Sequence, residues 1–178
     1  MLSEIDRING IVSQLLELAK PATDEYGSRS LIDKLNHVVT LLEGQAHLCN
    51  AQIIKEFDPN LSLILIRSQG NLKQVFINVL KNAIESMPKG GEVFFIKAKR
   101  IDDNVCIRII DQGCGIPKDE LTKIGNPFFT SKENGTGLGL MVSQRIIQNH
   151  KGTMRIESEV GKGTTVEILL PVMGPQRG

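Results

Sequence analysis

Ile5, Ile8, Val12, Leu15 and Ala19 step by three and four residues. That heptad-like spacing predicts an amphipathic helix over residues 3–19, with Leu16 and Leu18 widening its stripe. Pro21 ends it, and KPATDEYGS reads as a loop. A terminal helix with such a seam, followed by a polar loop, fits a bundle or dimer helix better than one lying on its own domain's core. A second helix is expected over about 31–49, with Leu31, Leu35, Val38, Val39 and Leu42 as its apolar face. Ser30 and Asp33 stand at the spacing of a capping box.

Beyond it the pattern changes from helical to extended. QIIKEF and SLILI read as two strands joined as a hairpin through Asp58-Pro59-Asn60. Residues 71–86 return to helical periodicity, with Ser68 as a candidate cap. Gly90-Gly91 opens a strand that runs to about residue 100, and Asp102-Asp103-Asn104 turns it into VCIRII. Residues 111–136 are irregular apart from a short helix near KDELTKI. A helix is predicted over 137–149, closed by Gly152. TMRIES and TTVEILL form a last hairpin through Gly161-Lys162-Gly163, and MGPQRG is a loose tail. The expected organisation is a bundle helix at 1–20, a linker at 21–30, one domain at 31–172 and a tail at 173–178. Hairpins and unevenly placed helices predict an α+β two-layer sandwich, a mixed and mostly antiparallel sheet with helices over one face. Regular βαβ alternation is lacking, which argues against a dinucleotide-binding Rossmann domain.

Composition narrows the partners. The chain has 178 residues and a formal net charge of +1, so no electrostatic footprint for nucleic acid or an anionic membrane is visible. No run approaches the ~18 apolar residues of a membrane helix. Glu4, Asp6 and Arg7 interrupt any secretory core at the N-terminus. Cys49, Cys106 and Cys114 are odd in number and widely spaced, forming neither a metal motif nor a disulfide framework. A reducing, cytoplasmic setting is the simplest expectation, with any larger parent free to be membrane-attached.

Three stretches could carry chemistry. On the 71–86 helix, Leu72, Phe76, Val79, Leu80 and Ala83 share one side, while Asn78, Asn82 and Glu85 share the other. Asparagine is a mediocre helix former, and amide oxygens are hard, neutral ligands suited to Mg²⁺. On this helix alone, an ordinary solvated face is the better reading. In DQGCGI, Asp111 ends a buried strand and precedes Gly113 and Gly115. Such a carboxylate can accept a hydrogen bond from an exocyclic amino group, and the glycines let a flat ring approach, although a simple turn explains the motif equally well. In NPFFTSKENGTGLGL, Gly135, Gly137 and Gly139 could present N–H groups to an anion at a helix start, with Lys132 adding a positive charge; a hinge is the plainer alternative.

The order of these pieces is more specific than any one of them. N-x-x-x-N, D-x-G-x-G, P-F-F-T-S-K, G-T-G-L-G-L and a final G-x-G-T follow one another along residues 50–172. This part of the chain resembles the ATP-binding catalytic domain of sensor histidine kinases, whose Bergerat-type fold is shared with Hsp90, DNA gyrase B and MutL. The short gap from Phe129 to Gly135 and the stretch NAIESMPKGG are most similar to the nitrogen-regulation and sporulation kinase branch. The N-terminal part is similar to the second helix of the dimerisation and phosphotransfer bundle.

The resemblance implies ATP and Mg²⁺ as ligands. It makes Asn78 and Asn82 the catalytic positions, with Asn82 on the metal and Glu85 lining the same face. It places Asp111 on the adenine amino group, with Gly113, Gly115 and Ile116 shaping the base pocket and Thr164 supporting it. Phe128, Phe129 and Lys132 would belong to a lid, while Gly135, Thr136, Gly137, Leu138 and Gly139 would cradle the phosphates. The visitor that excludes side chains from the glycine run would then be a triphosphate. In the related ATPases the position of Asn78 holds a Glu that activates water; an amide cannot, so the γ-phosphoryl should pass to a histidine. That histidine is expected on a bundle helix, for onward transfer to the aspartate of a response regulator receiver domain. His37, His47 and His150 lack the neighbours of the family's acceptor motif, so none is the expected phosphoacceptor. The expectation is of a fragment that starts after the acceptor helix, cannot phosphorylate itself, and could form a homodimer through its N-terminal helix. A serine kinase of the anti-sigma factor type and a non-catalytic nucleotide-binding module are the alternatives.

Overall fold

Alternation of apolar residues builds the sheet. Strand β2 (Val93–Ile101) and strand β3 (Asn104–Ile110) form an antiparallel hairpin closed at Asp102 and Asp103. Asp102 adopts φ +52, a left-handed conformation that Asp tolerates better than most residues. Strands β4 (Thr153–Glu159) and β5 (Gly163–Pro171) form a second hairpin, and β5 pairs antiparallel with β3. Strand β1 (Gln52–Phe57) completes a five-stranded sheet of order β1-β2-β3-β5-β4, and it lies parallel to β2. The computed structural model describes residues 2–19, 30–63, 72–87, 93–132 and 135–172.

Two local expectations fail here. The hairpin expected from QIIKEF and SLILI does not form: β1 takes β2 as its partner, and Pro59–Leu63 is a 3₁₀ turn. Asp58 starts that turn, its Oδ1 accepting from the Asn60 N–H at 2.9 Å, so turn chemistry was present but led away from a hairpin. The capping box is also absent. The Ser30 hydroxyl makes no cap bond, and Asp33 is one methylene shorter than the Glu of that motif. The remainder of SLILI, Ser68, Gly90-Gly91, the 21–29 loop and the 173–178 tail lie outside the described residues.

Among the described residues five α-helices accompany the sheet: α1 (Leu2–Ala19), α2 (Leu31–Leu48), α3 (Leu72–Ser86), α4 (Lys118–Leu121) and α5 (Gly139–Asn149). The buried sheet face presents Phe94, Ile96 and Ala98 from β2, Val105, Ile107 and Ile109 from β3, and Val166, Ile168 and Leu170 from β5. Against it pack Leu72, Phe76, Val79, Leu80 and Ala83 of α3, the side predicted from the sequence, with Val142, Ile146 and Ile147 of α5 and Leu35, Val38 and Val39 of α2. Burying each large aliphatic or aromatic side chain stabilises this layer by about 1.5–3 kcal/mol. The other sheet face carries charge, much of it paired: Lys97 with Glu56 at 2.9 Å and Arg108 with Glu167 at 3.5 Å. Helix α1 stands apart from the core, its nearest element being α5. Its seam residues Ile5, Ile8, Val12, Leu15 and Leu16 are 43–59% exposed.

Candidate functional site

Helix α3 acts as a ruler for the site. Its inner side is fixed by the core, so its polar side must face the irregular segment between β3 and α5. Eight residues separate Asn78 from Ser86, a rise of about 12 Å. Asp111 and its loop gather at the Ser86 end, and the start of α5 and Lys132 gather at the Asn78–Asn82 end.

At the first end the geometry is set mainly by the backbone. Asp111 is buried, and its Oδ1 accepts from the N–H of Gly113 at 2.9 Å and of Thr164 at 3.1 Å. The Asp111 N–H donates to the Thr164 carbonyl at 2.9 Å, continuing the β3–β5 ladder one step past its end. Burial pushes the Asp111 carboxyl above its ordinary value, while the Gly113 and Thr164 N–H groups, the nearby Ser86 hydroxyl and the Lys132 charge pull it back. Gly113 lies so close to α3 that an added Cβ would meet the Ser86 carbonyl oxygen at 2.6 Å. The Cys114 N–H caps that same carbonyl at 3.1 Å. The Thr164 hydroxyl shares a 2.8 Å hydrogen bond with Ser158, whose hydroxyl also accepts from the Ile116 N–H at 2.9 Å.

At the second end side chains do the holding. The Asn78 amide is fully engaged. Its Oδ1 accepts from Gln74 Nε2 at 2.9 Å, and its Nδ2 donates to the Gly139 carbonyl at 2.9 Å and to Ser143 Oγ at 3.1 Å. Asn78 therefore ties α3 to the first turn of α5. One turn on, the Lys132 ammonium donates to Asn82 Oδ1 at 3.1 Å and to Glu85 Oε2 at 2.8 Å. Lys81 stands 3.7 Å from the other Glu85 oxygen.

The glycine run has an internal reason for part of its composition. Gly137 has φ +68, and a Cβ there would run into the Phe128 backbone. Phe128 itself sits at φ +63 with its ring largely exposed, whereas Phe129 is half-buried with Lys123 6.0 Å from its ring centre. The excluded visitor at Gly137 is thus the protein's own chain. Thr136 does not point at α3: its hydroxyl donates to Gln14 Oε1 of α1 at 2.7 Å. Gly135 closes a turn onto the Lys132 carbonyl at 3.1 Å, and Leu138 is buried.

The structure thus joins Asn78 to Gly139 at one end of α3 and gathers Asp111, Gly113 and Thr164 at the other, with Asn82, Glu85 and Lys132 linked between them. Gly115 and Ile116 line the back of the second group, beside β4. Phe128 and Thr136 belong to neither. Gln74, Ser86 and Ser143 were not anticipated. Gln74 extends the polar stripe of α3 by one turn, which its spacing could have shown, and Ser143 is a fully buried hydroxyl on an otherwise apolar helix side. Ser86 carried no signal, because its role depends on the loop that folds onto it. His37 and His47 are exposed on α2 and His150 is buried at the end of α5, none of them near this site.

Comparison with known proteins places the fold in a known family. The profile of the histidine kinase-, DNA gyrase B- and HSP90-like ATPases matches residues 68–174, which contain both ends of the site. Sporulation kinase E of Bacillus subtilis (strain 168) is 45% identical over 171 residues, 96% of this chain, and the chain spans only 23% of that protein's length. The nucleotide-free catalytic domain of the histidine kinase ThkA superposes with a TM-score of 0.73 at 28% identity, covering 83% of this chain and 95% of that one. ThkA in complex with the response regulator TrrA gives a TM-score of 0.73 at 26% identity, over 98% of this chain and 50% of that one. With its matching profile and its helix-covered mixed sheet, the chain belongs to the family of histidine kinase-, DNA gyrase B- and HSP90-like ATPases.

Proposed function

We propose that this chain is the ATP-binding catalytic part of a sensor histidine kinase, which transfers the γ-phosphoryl of ATP to a histidine on a separate bundle helix. The phosphoryl group then passes to an aspartate of a response regulator. The observation that carries the reading is the pairing, along one helix, of a buried strand-end carboxylate with a convergent cation site. Asp111 offers an acceptor to the adenine amino group, while Gly113 lets its loop pack directly against the Ser86 carbonyl of α3. Asn82 Oδ1 and Glu85 Oε2 already converge on one cation, the Lys132 ammonium, so this donor pair suits a hard divalent ion such as Mg²⁺. Such an ion, when bound, neutralises charge on the triphosphate.

Asn78 supports phosphoryl transfer over hydrolysis. It carries no basic group, and its amide is held on both sides by Gln74, Gly139 and Ser143, so it cannot turn to take a proton from water. Its part is to fix the start of α5, where N–H groups face the phosphates. The likeness to sporulation kinases and to a histidine kinase solved with its response regulator supports a receiver-domain partner. Helix α1, with its exposed seam, would belong to the dimerisation bundle, residues 21–30 to a linker and residues 31–172 to the catalytic domain.

The test is a titration of the chain with Mg·ATP followed by mixing with a separately produced acceptor bundle from a sporulation kinase. Saturable binding, then acid-labile, base-stable phosphate on the bundle, is the expected result. Phosphate stable in acid would identify a serine acceptor instead, and absence of nucleotide binding would sink the reading altogether.

A further inference from the structure

The Lys132 side chain does something that a simple phosphate ligand need not do. Its ammonium occupies the point where Asn82 and Glu85 converge, at 3.1 and 2.8 Å. We propose that Lys132 is a resident counter-ion of the metal position, and that its displacement makes the site favour a nucleoside triphosphate over a diphosphate. The inference rests on the nucleotide-binding reading above and adds a determinant of which nucleotide is retained.

Three features support it. The contact links positions 47 and 50 residues apart in sequence, so it is a tertiary arrangement rather than a local helix pair. The Lys132 backbone is anchored independently of its side chain: its N–H donates to Thr130 Oγ1 at 3.1 Å, and its carbonyl accepts from the Gly135 N–H at 3.1 Å. The long, flexible stem can therefore carry the charge elsewhere while the backbone stays in place. Finally, the pair is only partly buried, with side-chain exposures of 37% for Lys132 and 33% for Glu85, so separating it costs little.

A divalent cation held by Asn82 and Glu85 cannot share those oxygens with an ammonium group, because like charges at that range repel. Lys132 must leave when the metal–nucleotide complex arrives. A triphosphate supplies a terminal phosphate to receive it. A diphosphate ends one phosphate short, and its terminal group, shared with the new cation, offers the ammonium a weaker partner. Lys81, the other lysine beside Glu85, sits on α3 itself and is held to the opposite carboxylate oxygen, so it does not compete for the same point.

The experiment is calorimetric titration of wild-type and Lys132→Met protein with ADP and with ATP, each in excess Mg²⁺ and again in EDTA. Methionine keeps the stem and removes the charge. With Mg²⁺ the variant should bind ADP about two- to fivefold more tightly, the scale of a partly exposed ion pair. It should bind ATP more weakly, so that the ATP-to-ADP preference falls. In EDTA the gain for ADP should vanish. If Lys132→Met weakened or left unchanged the binding of Mg·ADP, or tightened ADP equally in EDTA, Lys132 would be a plain phosphate ligand and the counter-ion account would be wrong. Wild-type protein that bound neither nucleotide would instead overturn the functional reading and this inference with it.

Discussion

The two ends of the site are built from different materials. Around Asp111, backbone N–H and C=O groups from β3, the β4–β5 turn and the end of α3 interlock, and the carboxylate they surround is buried. Around Asn82, the ties are side-chain bonds between partly exposed groups, and the strand and helix ladders contribute nothing to the cation position itself. A buried acceptor held by two N–H groups is preorganised, so it discriminates by shape and hydrogen bonding. A partly exposed ion pair costs little to open, so it can exchange partners. One end is suited to recognising a base that does not change, and the other to a phosphate chain that loses a group.

The contrast can be broken most severely at the rigid end. Gly113→Val should destabilise the fold by about 3 kcal/mol, the upper range for overpacking, because the new side chain must force the Ser86 carbonyl away. Denaturant unfolding would read this loss, and an unchanged midpoint would show that the loop yields easily and is no fixed wall. At the exchangeable end the fold should survive and the ligand should not. Asn82→Ala removes a neutral acceptor from a half-exposed helix face, so the melting temperature should stay within a few degrees of wild type. Affinity for Mg·ATP should drop by about ten- to a hundredfold, as when a metal site is disturbed. An equal drop in EDTA would show that Asn82 serves the nucleotide and not the metal.

The same contrast explains what could be read from the sequence. Period-two runs such as VCIRII and TTVEILL gave strands because alternation is a local property, and the 100° spacing of Asn78, Asn82 and Glu85 gave their common face. The partner of β1 was not local. Asp58-Pro59-Asn60 carries turn residues that serve a 3₁₀ turn as well as a hairpin, and the choice of β2 is settled by pairing across about forty residues. Asp111 stood out as a carboxylate ending an apolar strand, and the turn that the motif equally allowed is present, with Oδ1 accepting from the Gly113 and Thr164 N–H groups. The contact of Lys132 with Asn82 and Glu85 was not legible, since nothing local links a loop lysine to a helix 50 residues earlier. Gly137 is legible as a place that excludes a side chain, but the neighbour found there is Phe128.

Asp111→Asn sharpens the comparison with less damage. The amide oxygen can still accept from Gly113 and Thr164, so the loop should keep its shape. The Nδ2 group replaces an acceptor with a donor toward an amino group, and nucleotide affinity should fall by about tenfold, the lower range for a hydrogen bond to a charged group. Stability at neutral pH should hold or rise, since no charge is then buried. A stabilised variant that binds poorly would mark Asp111 as retained for the ligand. A variant that unfolded while still binding would reverse that assignment.

The smallest effect is the most specific, because one residue should produce two opposite pH slopes. Burial raises the Asp111 pKa in the folded chain above its ordinary value of 3.8. The folded state therefore holds this proton to higher pH than the unfolded state does. Its contribution to stability is fully present below the unfolded-state value and is lost as pH rises through the folded one. Binding runs the other way, since the ionised carboxylate is the better acceptor for an amino group, and affinity should weaken as pH falls through that same raised value. Both slopes should be missing from Asp111→Asn, so the wild-type-to-variant ratio isolates them from the titration of the phosphates. Unfolding and nucleotide titrations from about pH 4 upward, near the ordinary carboxylate value, would measure the two curves. Slopes of the same sign would mean that the proton on Asp111 serves the ligand as well as the fold, and the carboxylate would then not be the acceptor for the base.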